Sequence, residues 1–342
     1  MTELLLAVDG GNSKTDVALI DTTGTVLAAV RGGTVSHQQV GNHAAGPRLR
    51  ALVDRAAAEA GIALSTPAAV VGVLCLAGMD LPADARTLRA AHGSTNLAAT
   101  LLIENDTVAP LRAGSAPGWG VGVVVGQGIN AIGMAPDGRR ARFAALGAIS
   151  GDRGGGSGLG MDALRVAIRA QDGRGPKTAL ERAVPAHFGM RRPLDVTAAL
   201  HAHRLSEERI RELAKVTVDA ARSGDAIALS LLDDLADECA AFVIASIRRL
   251  RLTRLPVPVV LAGGVARGAR ELLADRVATR VHAVAPRAEI TVLHAPPVVG
   301  AALLALDRVA PGASAPQDNV RSTLTDERIT ATRASPRRET RR

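Results

Sequence analysis

Aromatic residues are almost absent from this sequence of 342 residues, since they make up 1% of it and none is Tyr. The hydrophobic fraction is 47%, so full cores can form, but Ala, Val, Leu and Ile must supply them. Small side chains of this kind favour closely packed helices and strands. The scarcity of aromatic rings also excludes stacking as a main contribution to ligand recognition.

Cysteine is nearly as scarce, with only Cys75 and Cys239, far apart and in apolar surroundings. Without a CxxC pair this excludes a disulfide framework, and both residues are predicted to be buried in a reducing compartment. No apolar run approaches the length of a bilayer span, and no basic segment followed by an apolar stretch opens the chain. We therefore expect a soluble, cytoplasmic protein without a membrane partner.

The net charge of +8 comes from 41 basic and 33 acidic residues, and part of it lies at the C-terminal end. Residues 311–342 contain seven Arg and four acidic residues among few apolar ones, which predicts a disordered basic tail. Four arginines between residues 248 and 254 follow a predicted helix, where they would complement its dipole. We prefer that interpretation to nucleic-acid binding, because no recognition motif accompanies them.

The opening stretch predicts a strand, a glycine turn and a second strand over residues 4–20. Two glycines let the chain turn sharply and leave backbone N–H groups uncovered, which creates an anion-binding concavity. An ordinary glycine hairpin is the alternative. The nucleotide-phosphate site predicted here comprises Asp9, Gly10, Gly11, Asn12, Ser13, Lys14 and Thr15.

The same layout returns over residues 120–143, where Gly126, Gln127 and Gly128 form the glycine turn. Such a duplication predicts two similar domains that face one another and share a cleft. We place them at residues 1–112 and 113–310, and a last helix over 299–309 could pack across the cleft. Residues 190–205 contain helix breakers and are predicted to be a connection.

Further polar or glycine-rich segments follow other predicted strands. Asp106 comes after the strand Leu101–Ile103, where it or Thr107 would cap the next helix. Gly263 and Gly264 end a buried strand, and residues 147–158 are too rich in glycine for a regular element. Both segments allow a ligand to approach the backbone closely.

Taken in this order, the segments resemble the sugar kinase, actin and heat-shock ATPase superfamily. More narrowly, residues 3 to about 307 are similar to the N-acetylglucosamine kinase branch of the family that includes the benzoyl-CoA reductase ATPase subunits. The resemblance implies an α/β fold of duplicated ribonuclease H-like (actin-like ATPase) domains. Each would hold a five-stranded mixed sheet with flanking helices, with ATP and sugar in the cleft between them.

The resemblance also implies roles for the glycine turns and acids. Gly10–Thr15 and Gly126–Gly128 would hold the phosphates of ATP, and Gly263 and Gly264 would lie against adenosine. Asp106 matches the general base, and Asp9 is the carboxylate nearest Mg²⁺, which it would hold through water. Lys14 would either touch phosphate or remain in solvent.

Several positions match a sugar pocket in such kinases. His37 could instead be a capping or surface residue, and Asp152 could instead form an Asx-turn. Departures from the family pattern are Ser36 for Asn, Gln127 and Ile129 for Thr and Ser, Leu146 for Trp, and Arg153 for Glu. Backbone phosphate binding tolerates these changes, but sugar identity does not follow. The predicted pocket comprises Ser36, His37, Asp106, Ile129, Asn130, Gly147 and Asp152.

These features predict an ATP- and Mg²⁺-dependent kinase that phosphorylates the 6-hydroxyl of N-acetylglucosamine or a related amino sugar. Relatives imply a homodimer, and no nucleic-acid partner is expected. One alternative is a non-catalytic sugar-sensing protein of the same fold. Another is an activator ATPase with an iron–sulfur cluster, for which Cys75 and Cys239 lack the required arrangement.

Overall fold

Residues 3–331 are described by the computed structural model, and ten strands in this part of the chain form two sheets of five. The sheets belong to two separate units. The first unit runs through Ala113 and resumes at Ala295, whereas the second runs from Gly114 to His294. The predicted α/β class, with one five-stranded mixed sheet in each half of the protein, is confirmed.

The first sheet opens with the three-stranded antiparallel arrangement that the sequence predicts. Its strands are β1 (Leu4–Gly10), β2 (Lys14–Asp21), β3 (Val26–Gly33), β4 (Ala69–Leu76) and β5 (Ala98–Asn105). They lie in the order β3-β2-β1-β4-β5. β2 is antiparallel to both β1 and β3, while β1, β4 and β5 run parallel. Because β1 is the central strand, the turn that follows it lies in the middle of the end of the sheet at which β1, β4 and β5 finish.

Helices follow the strands of the first unit. They are α1 (His37–Val40), α2 (Asn42–Ala60), α3 (Pro82–Gly93) and α4 (Val108–Gly114). Leu6 and Val8 of β1 share a core with Leu49 and Val53 of α2. Since successive residues of a strand point to opposite faces, Asp9 lies on the face away from this core.

The second unit repeats this topology. Its strands are β6 (Gly120–Val125), β7 (Ile129–Met134), β8 (Arg140–Arg142), β9 (Pro258–Ala262) and β10 (Glu289–Val292). The order β10-β9-β6-β7-β8 places the antiparallel strands β6, β7 and β8 as β1, β2 and β3 are placed in the first sheet. β9 pairs parallel with β6, and β10 with β9. The duplication predicted from the sequence is therefore present in the strand order.

Seven α-helices in the described chain surround the second sheet. They are α5 (Gly155–Asp172), α6 (Leu180–His187), α7 (Pro193–His201), α8 (Leu213–Arg222), α9 (Ala226–Leu250), α10 (Gly264–Gly268) and α11 (Arg270–His282), with 3₁₀ turns at Gly147–Ser150 and Glu207–Glu212. The prediction of a connection over residues 190–205 is wrong where α7 forms. Pro193 is the first residue of that helix, a position that proline favours. Asp195 accepts a hydrogen bond from the Arg192 amide at 3.0 Å.

The C-terminal part of the chain returns to the first unit as α12 (Val298–Val309), α13 (Ser314–Thr323) and α14 (Asp326–Thr330). We predicted that the helix over residues 299–309 belonged to the second domain, but α12 packs on β1 and β4 of the first unit. A Cβ at Gly300 would lie 1.8 Å from the Ala109 carbonyl, so only glycine allows this close approach to α4.

The predicted disordered tail over residues 311–342 is also wrong for the part that the structure describes. Val320, Leu324 and Ile329 of α13, α14 and the link between them are at most 3% exposed. These few apolar side chains fix a segment that is otherwise polar. Residues 332–342 of the predicted tail lie outside the described residues.

Between residues 3 and 331, no helix combines the length and apolar character needed to cross a bilayer. Cys75 and Cys239 are both fully buried, as predicted.

Candidate functional site

The turn between β1 and β2 is the first part of the candidate site. The Gly11 amide donates to the Lys14 carbonyl at 2.9 Å and closes the turn, while the Thr34 hydroxyl donates to the Gly11 carbonyl at 2.8 Å. A Cβ at Gly10 would lie 2.6 Å from the Leu76 side chain, so a larger residue would require that side chain to move. The side-chain oxygen of Asn12 is buried without a hydrogen-bond partner. A buried orphan of this kind is what a bound polar ligand would satisfy.

A row of charged side chains crosses the sheet directly beneath this turn. Asp9 pairs with Asp16 in the register of β1 and β2, and Asp16 pairs with Arg31 in that of β2 and β3. The Arg31 guanidinium donates to both carboxylate oxygens of fully buried Asp16, at 2.6 and 2.8 Å. Lys14 donates to Asp16 as well, at 3.1 Å. Two cationic side chains therefore compensate the negative charge of buried Asp16.

Asp9 is the end member of this row and is partly exposed. Its pKa is raised to about 8, chiefly by burial and then by the charges of Asp16 and Asp106, while Lys14 and Arg31 act in the opposite direction. Because the charge of Asp106 contributes to this shift, the carboxyl groups of Asp9 and Asp106 lie near each other in the first unit. Such a pair favours a shared proton or a bound cation.

Asp106 follows the C-terminal end of β5, and its amide donates to the Leu76 carbonyl at 3.2 Å. The pKa of Asp106 is raised to about 7, first by burial and then by the charge of Asp80. The Asn105 side-chain oxygen accepts hydrogen bonds from the amide and the hydroxyl of Thr107, at 3.1 and 2.5 Å. The turn before α4 therefore has two acceptors, because the Asp106 carboxylate also accepts from the backbone amides of Asp106 and Thr107, which lowers its pKa against the effect of burial.

Residues 34–37 are held against the first turn. The Val35 amide donates to the Thr15 hydroxyl at 3.1 Å, and the Ser36 amide donates to the Thr34 hydroxyl at 3.0 Å. The Ser36 hydroxyl and the Nδ1 atom of His37 are buried and lack partners. Both predicted pocket residues of this loop thus present an unsatisfied polar atom.

The second glycine turn, between β6 and β7, lies against the beginning of α5. The Gly126 amide donates to the Gly128 carbonyl at 3.0 Å, and the Gly156 amide donates to the Gly126 carbonyl at 2.8 Å. Gly155 has a φ of +66°, and a Cβ there would lie 2.4 Å from the Gly128 carbonyl carbon. The Gln127 side chain accepts from Arg211 at 3.3 Å. The helix and the turn are therefore fitted together through backbone atoms.

Gly263 and Gly264 join this part of the second unit at the end of β9. Gly263 has a φ of +98°, and a Cβ there would lie 2.3 Å from the Val125 carbonyl. Gly264 begins α10, and a Cβ there would meet no atom within 4 Å. The structure thus brings Gly263 to the second glycine turn and leaves open space beside Gly264.

The predicted pocket residues of the second unit differ from one another in their hydrogen bonds and burial. The Asp152 carboxylate accepts from the Ser150 hydroxyl at 2.5 Å and from the Gly147 amide at 3.2 Å. These contacts are local, but both partners precede Asp152, so they do not form the Asx-turn that was the alternative. The Asn130 side-chain oxygen accepts from the Ala131 amide at 2.7 Å. Ile129 is 6% exposed and belongs to the core, which leaves only its backbone for a ligand.

Sequence reasoning did not assign a role to Arg31, Asp80 or Gly155. Arg31 had a recoverable signal, because two tight turns fix the register of three consecutive strands and place residues 9, 16 and 31 in one row. Asp80 gave no signal, since it follows β4 and approaches Asp106 only through the parallel pairing of β4 and β5.

The chain matches the model of the BadF/BadG/BcrA/BcrD ATPase family over residues 6–305. It is 26% identical over 314 residues to the N-acetyl-D-glucosamine kinase of Dictyostelium discoideum, which covers 89% of this chain and 98% of that protein. It is also 26% identical over 261 residues to the N-acetylmuramic acid/N-acetylglucosamine kinase of Clostridium acetobutylicum, covering 76% and 85% of the two chains.

Among solved structures, a candidate N-acetylglucosamine kinase from Chromobacterium violaceum has a TM-score of 0.70 at 25% identity, covering 89% of this chain and 99% of that one. A second candidate N-acetylglucosamine kinase, from Porphyromonas gingivalis, has a TM-score of 0.65 at 20% identity, covering 90% and 99%. With the two repeated sheets, these likenesses confirm the predicted fold of duplicated ribonuclease H-like domains.

Proposed function

This chain belongs to the BadF/BadG/BcrA/BcrD ATPase family, and we propose that it is an ATP-dependent kinase that phosphorylates the 6-hydroxyl of N-acetylglucosamine or a related amino sugar. The two curated kinases that align with most of its length support a sugar phosphotransferase. The observation that carries the proposal is the first glycine turn with two partly exposed carboxyl groups, Asp9 and Asp106, beside it.

Asp106 is proposed as the general base that accepts the proton of the sugar hydroxyl. Its pKa of about 7 suits this role, because a base titrating near the working pH is largely ionised and still attracts a proton. Phosphoryl transfer depends mainly on positioning and charge stabilisation. One well-placed carboxylate beside the sugar hydroxyl can therefore serve as the only base that the reaction needs.

The residues of the first turn fit the phosphates of Mg-ATP. Gly10 keeps the turn close to Leu76, and the orphaned Asn12 oxygen, a hydrogen-bond acceptor, would suit a water molecule carried by Mg²⁺ rather than a phosphate oxygen. Asp9 is the carboxylate proposed to hold Mg²⁺, which would neutralise phosphate charge. Among residues 3–331, no three His, Cys, Asp or Glu side chains converge to bind a metal directly. A single carboxylate that acts through water agrees with the coordination of Mg²⁺ in proteins, where the ion usually keeps several water ligands.

The second unit is proposed to contribute to ATP binding through backbone groups. Gly126, Gln127 and Gly128 form a tight turn next to the N-terminal end of α5, and Gly263 with Gly264 lies beside it. Uncovered backbone amides in such a turn favour anions. Lys14 remains a candidate for phosphate contact, since its side chain is 38% exposed.

Sugar recognition is proposed to depend on hydrogen bonds rather than on ring stacking. Ser36 and His37 each carry a buried polar atom without a partner, which a sugar hydroxyl or amide would satisfy. A site of this type discriminates strongly, because a missing substrate group leaves a buried polar atom unpaired. The remaining proposed sugar contacts are Asn130, Gly147, Asp152 and the backbone of Ile129.

The experiment that tests this function is a coupled ADP-release assay with a panel of hexoses, amino sugars and their N-acetyl derivatives. We expect release of ADP that depends on the sugar and is greatest with an N-acetylated hexosamine. Sugar binding without ADP release would instead support the sugar-sensing alternative. Absence of both sugar binding and ADP release would reject the proposal. The homodimer and the cytoplasmic location stay predictions, which sedimentation and cell fractionation would check.

The pH dependence of the reaction follows from the pKa of Asp106. Protonation removes the base, so below a pH of about 7 we expect kcat/KM for the sugar to fall about tenfold per pH unit. Above about pH 8 it should level off, since Asp106 is then almost fully ionised. The profile should be measured from pH 5 to 9 with saturating ATP. A flat profile between pH 5 and 7 would contradict the assigned base.

A further inference from the structure

The segment that contains α13 and α14 is fastened to the outer strands of the first sheet. The Arg328 side chain of α14 donates to the Val26 carbonyl, and the Asn319 side chain of α13 donates to the Thr23 carbonyl at 3.5 Å. A Cβ at Gly24 would lie 2.0 Å from the Pro316 carbonyl, so the backbones touch at the β2–β3 turn. This segment therefore covers the β3 edge of the first sheet and its β2–β3 turn.

One contact of this segment leads directly to the first glycine hairpin. The Arg31 Nη2 atom donates to Asp326 of α14 at 2.7 Å and to Asp16 at 2.8 Å. Asp16 in turn accepts from the Lys14 ammonium at 3.1 Å. Four charged side chains of alternating sign thus connect α14 to the turn in the order Asp326, Arg31, Asp16, Lys14.

We propose that Arg31 and Asp326 are positioning residues for ATP, because they hold Asp16 in place and leave Lys14 available to the phosphates. This inference rests on the proposed function of the 10–15 hairpin. The Arg31 side chain is 26% exposed and grips Asp16 with two parallel bonds, whereas Asp16 is completely buried. Lys14 makes one bond to Asp16 and is 38% exposed, so it is the partner that can turn towards a ligand.

Asp326 acts by fixing the orientation of Arg31. The Arg31 Nη2 atom donates to both carboxylates, so the bond to Asp326 helps to keep the planar fork of Nε and Nη2 on Asp16. If Arg31 were free to move, buried Asp16 would draw Lys14 more strongly, since a buried carboxylate that loses a cation is costly. ATP would then have to separate Lys14 from Asp16 in order to bind.

The test compares Asp326→Asn with Glu327→Gln, a neighbour on α14 that is exposed and likewise loses one negative charge. We expect Asp326→Asn to weaken ATP binding about threefold to fivefold, as for a partly exposed ion pair, and to leave the KM for sugar unchanged. Arg31→Gln should weaken ATP binding at least tenfold, because it breaks a buried pair. Glu327→Gln should match the wild type. Binding is measured by calorimetry and the two KM values by ADP release.

A purely structural role for α14 would give another result, namely a lower melting temperature with ATP and sugar affinities affected alike. The Lys14→Met background separates the two cases, because there the Asp326→Asn substitution should have no further effect on ATP affinity. Unchanged ATP affinity in Asp326→Asn and Arg31→Gln would overturn the positioning role and leave the proposed kinase intact. A wild-type protein that binds no ATP would overturn both.

Discussion

Replacing Asp106 with asparagine is expected to lower kcat by about 10²- to 10⁴-fold, the usual contribution of a general base. The amide keeps the size of the carboxyl group but cannot accept the proton of a sugar hydroxyl at neutral pH. ATP affinity should change by less than about threefold, because the phosphates are proposed to bind at the 10–15 turn and at residues 126–128. Single-turnover kinetics and ATP calorimetry on the same preparation would check both parts.

The control for this variant is Asp84→Asn. Asp84 accepts from the amides of Asp80 and Leu81, at 3.1 and 2.7 Å, at the start of α3. Its loss should cost stability, about 1 kcal/mol for a capping contact, but leave kcat near the wild-type value. If Asp106→Asn retained wild-type turnover, the assignment of the base would be wrong.

Stability should move in the opposite direction to activity at Asp106. A carboxyl group whose folded pKa is about 7 binds its proton more tightly in the folded than in the unfolded state. The stability that this proton provides is present below the ordinary pKa of 3.8 and is lost as the pH rises through 7. Without ligands, Asp106→Asn should therefore gain stability relative to the wild type between pH 5 and pH 8, which thermal melts would detect.

The two glycine hairpins could be predicted from the sequence because their signals are local. An apolar run, two glycines or a glycine-x-glycine turn, and a second apolar run specify an antiparallel pair without distant contacts. The repetition of this pattern at residues 120–143 then indicated the duplication. The position of Asp106 just after a strand is a local feature as well, but its proposed role came from the family resemblance.

The C-terminal helices gave no comparable signal. Between Ser314 and Thr330, α13 and α14 bury only a few apolar side chains among many polar ones, and helices this short are marginal without tertiary contacts. Their stability comes from contacts with β2, β3 and α12, which are remote in sequence. For the same reason, the sequence could not tell which of the two sheets α12 covers.

The predicted sugar-binding residues also differ in how much of their environment is local in sequence. Ser36 and His37 lie in the loop after β3, and their unsatisfied atoms become visible only once Val35 is seen bonded to Thr15. For Asp152, the alternative was an Asx-turn, but its contacts are with Ser150 and Gly147, which precede it in the chain and already occupy the carboxylate. The family resemblance thus proposed these residues, but only the packing shows which of their polar atoms lack a partner.

Gly155→Ala is expected to disrupt the second glycine turn and raise the KM for ATP at least tenfold. Two costs add at this position. An L-residue at a φ of +66° is strained by about 1–2 kcal/mol. The added Cβ would also lie within 2.6 Å of three backbone atoms of Gly128, which cannot rotate away as a side chain would. The turn or the start of α5 must therefore shift, at a total cost of about 2–4 kcal/mol.

Gly158→Ala is the matched control in the same helix. A Cβ at Gly158 would meet no atom within 4 Å, and its φ is not in the left-handed region. Alanine there should be neutral or raise stability by up to about 1 kcal/mol, the difference in helix propensity. Chemical denaturation and ATP titration of both variants distinguish a specific fit at Gly155 from general sensitivity of α5. Equal behaviour of the two variants would mean that the helix does not shape the turn, and the proposed backbone contribution of residues 126–128 to ATP binding would lose its structural basis.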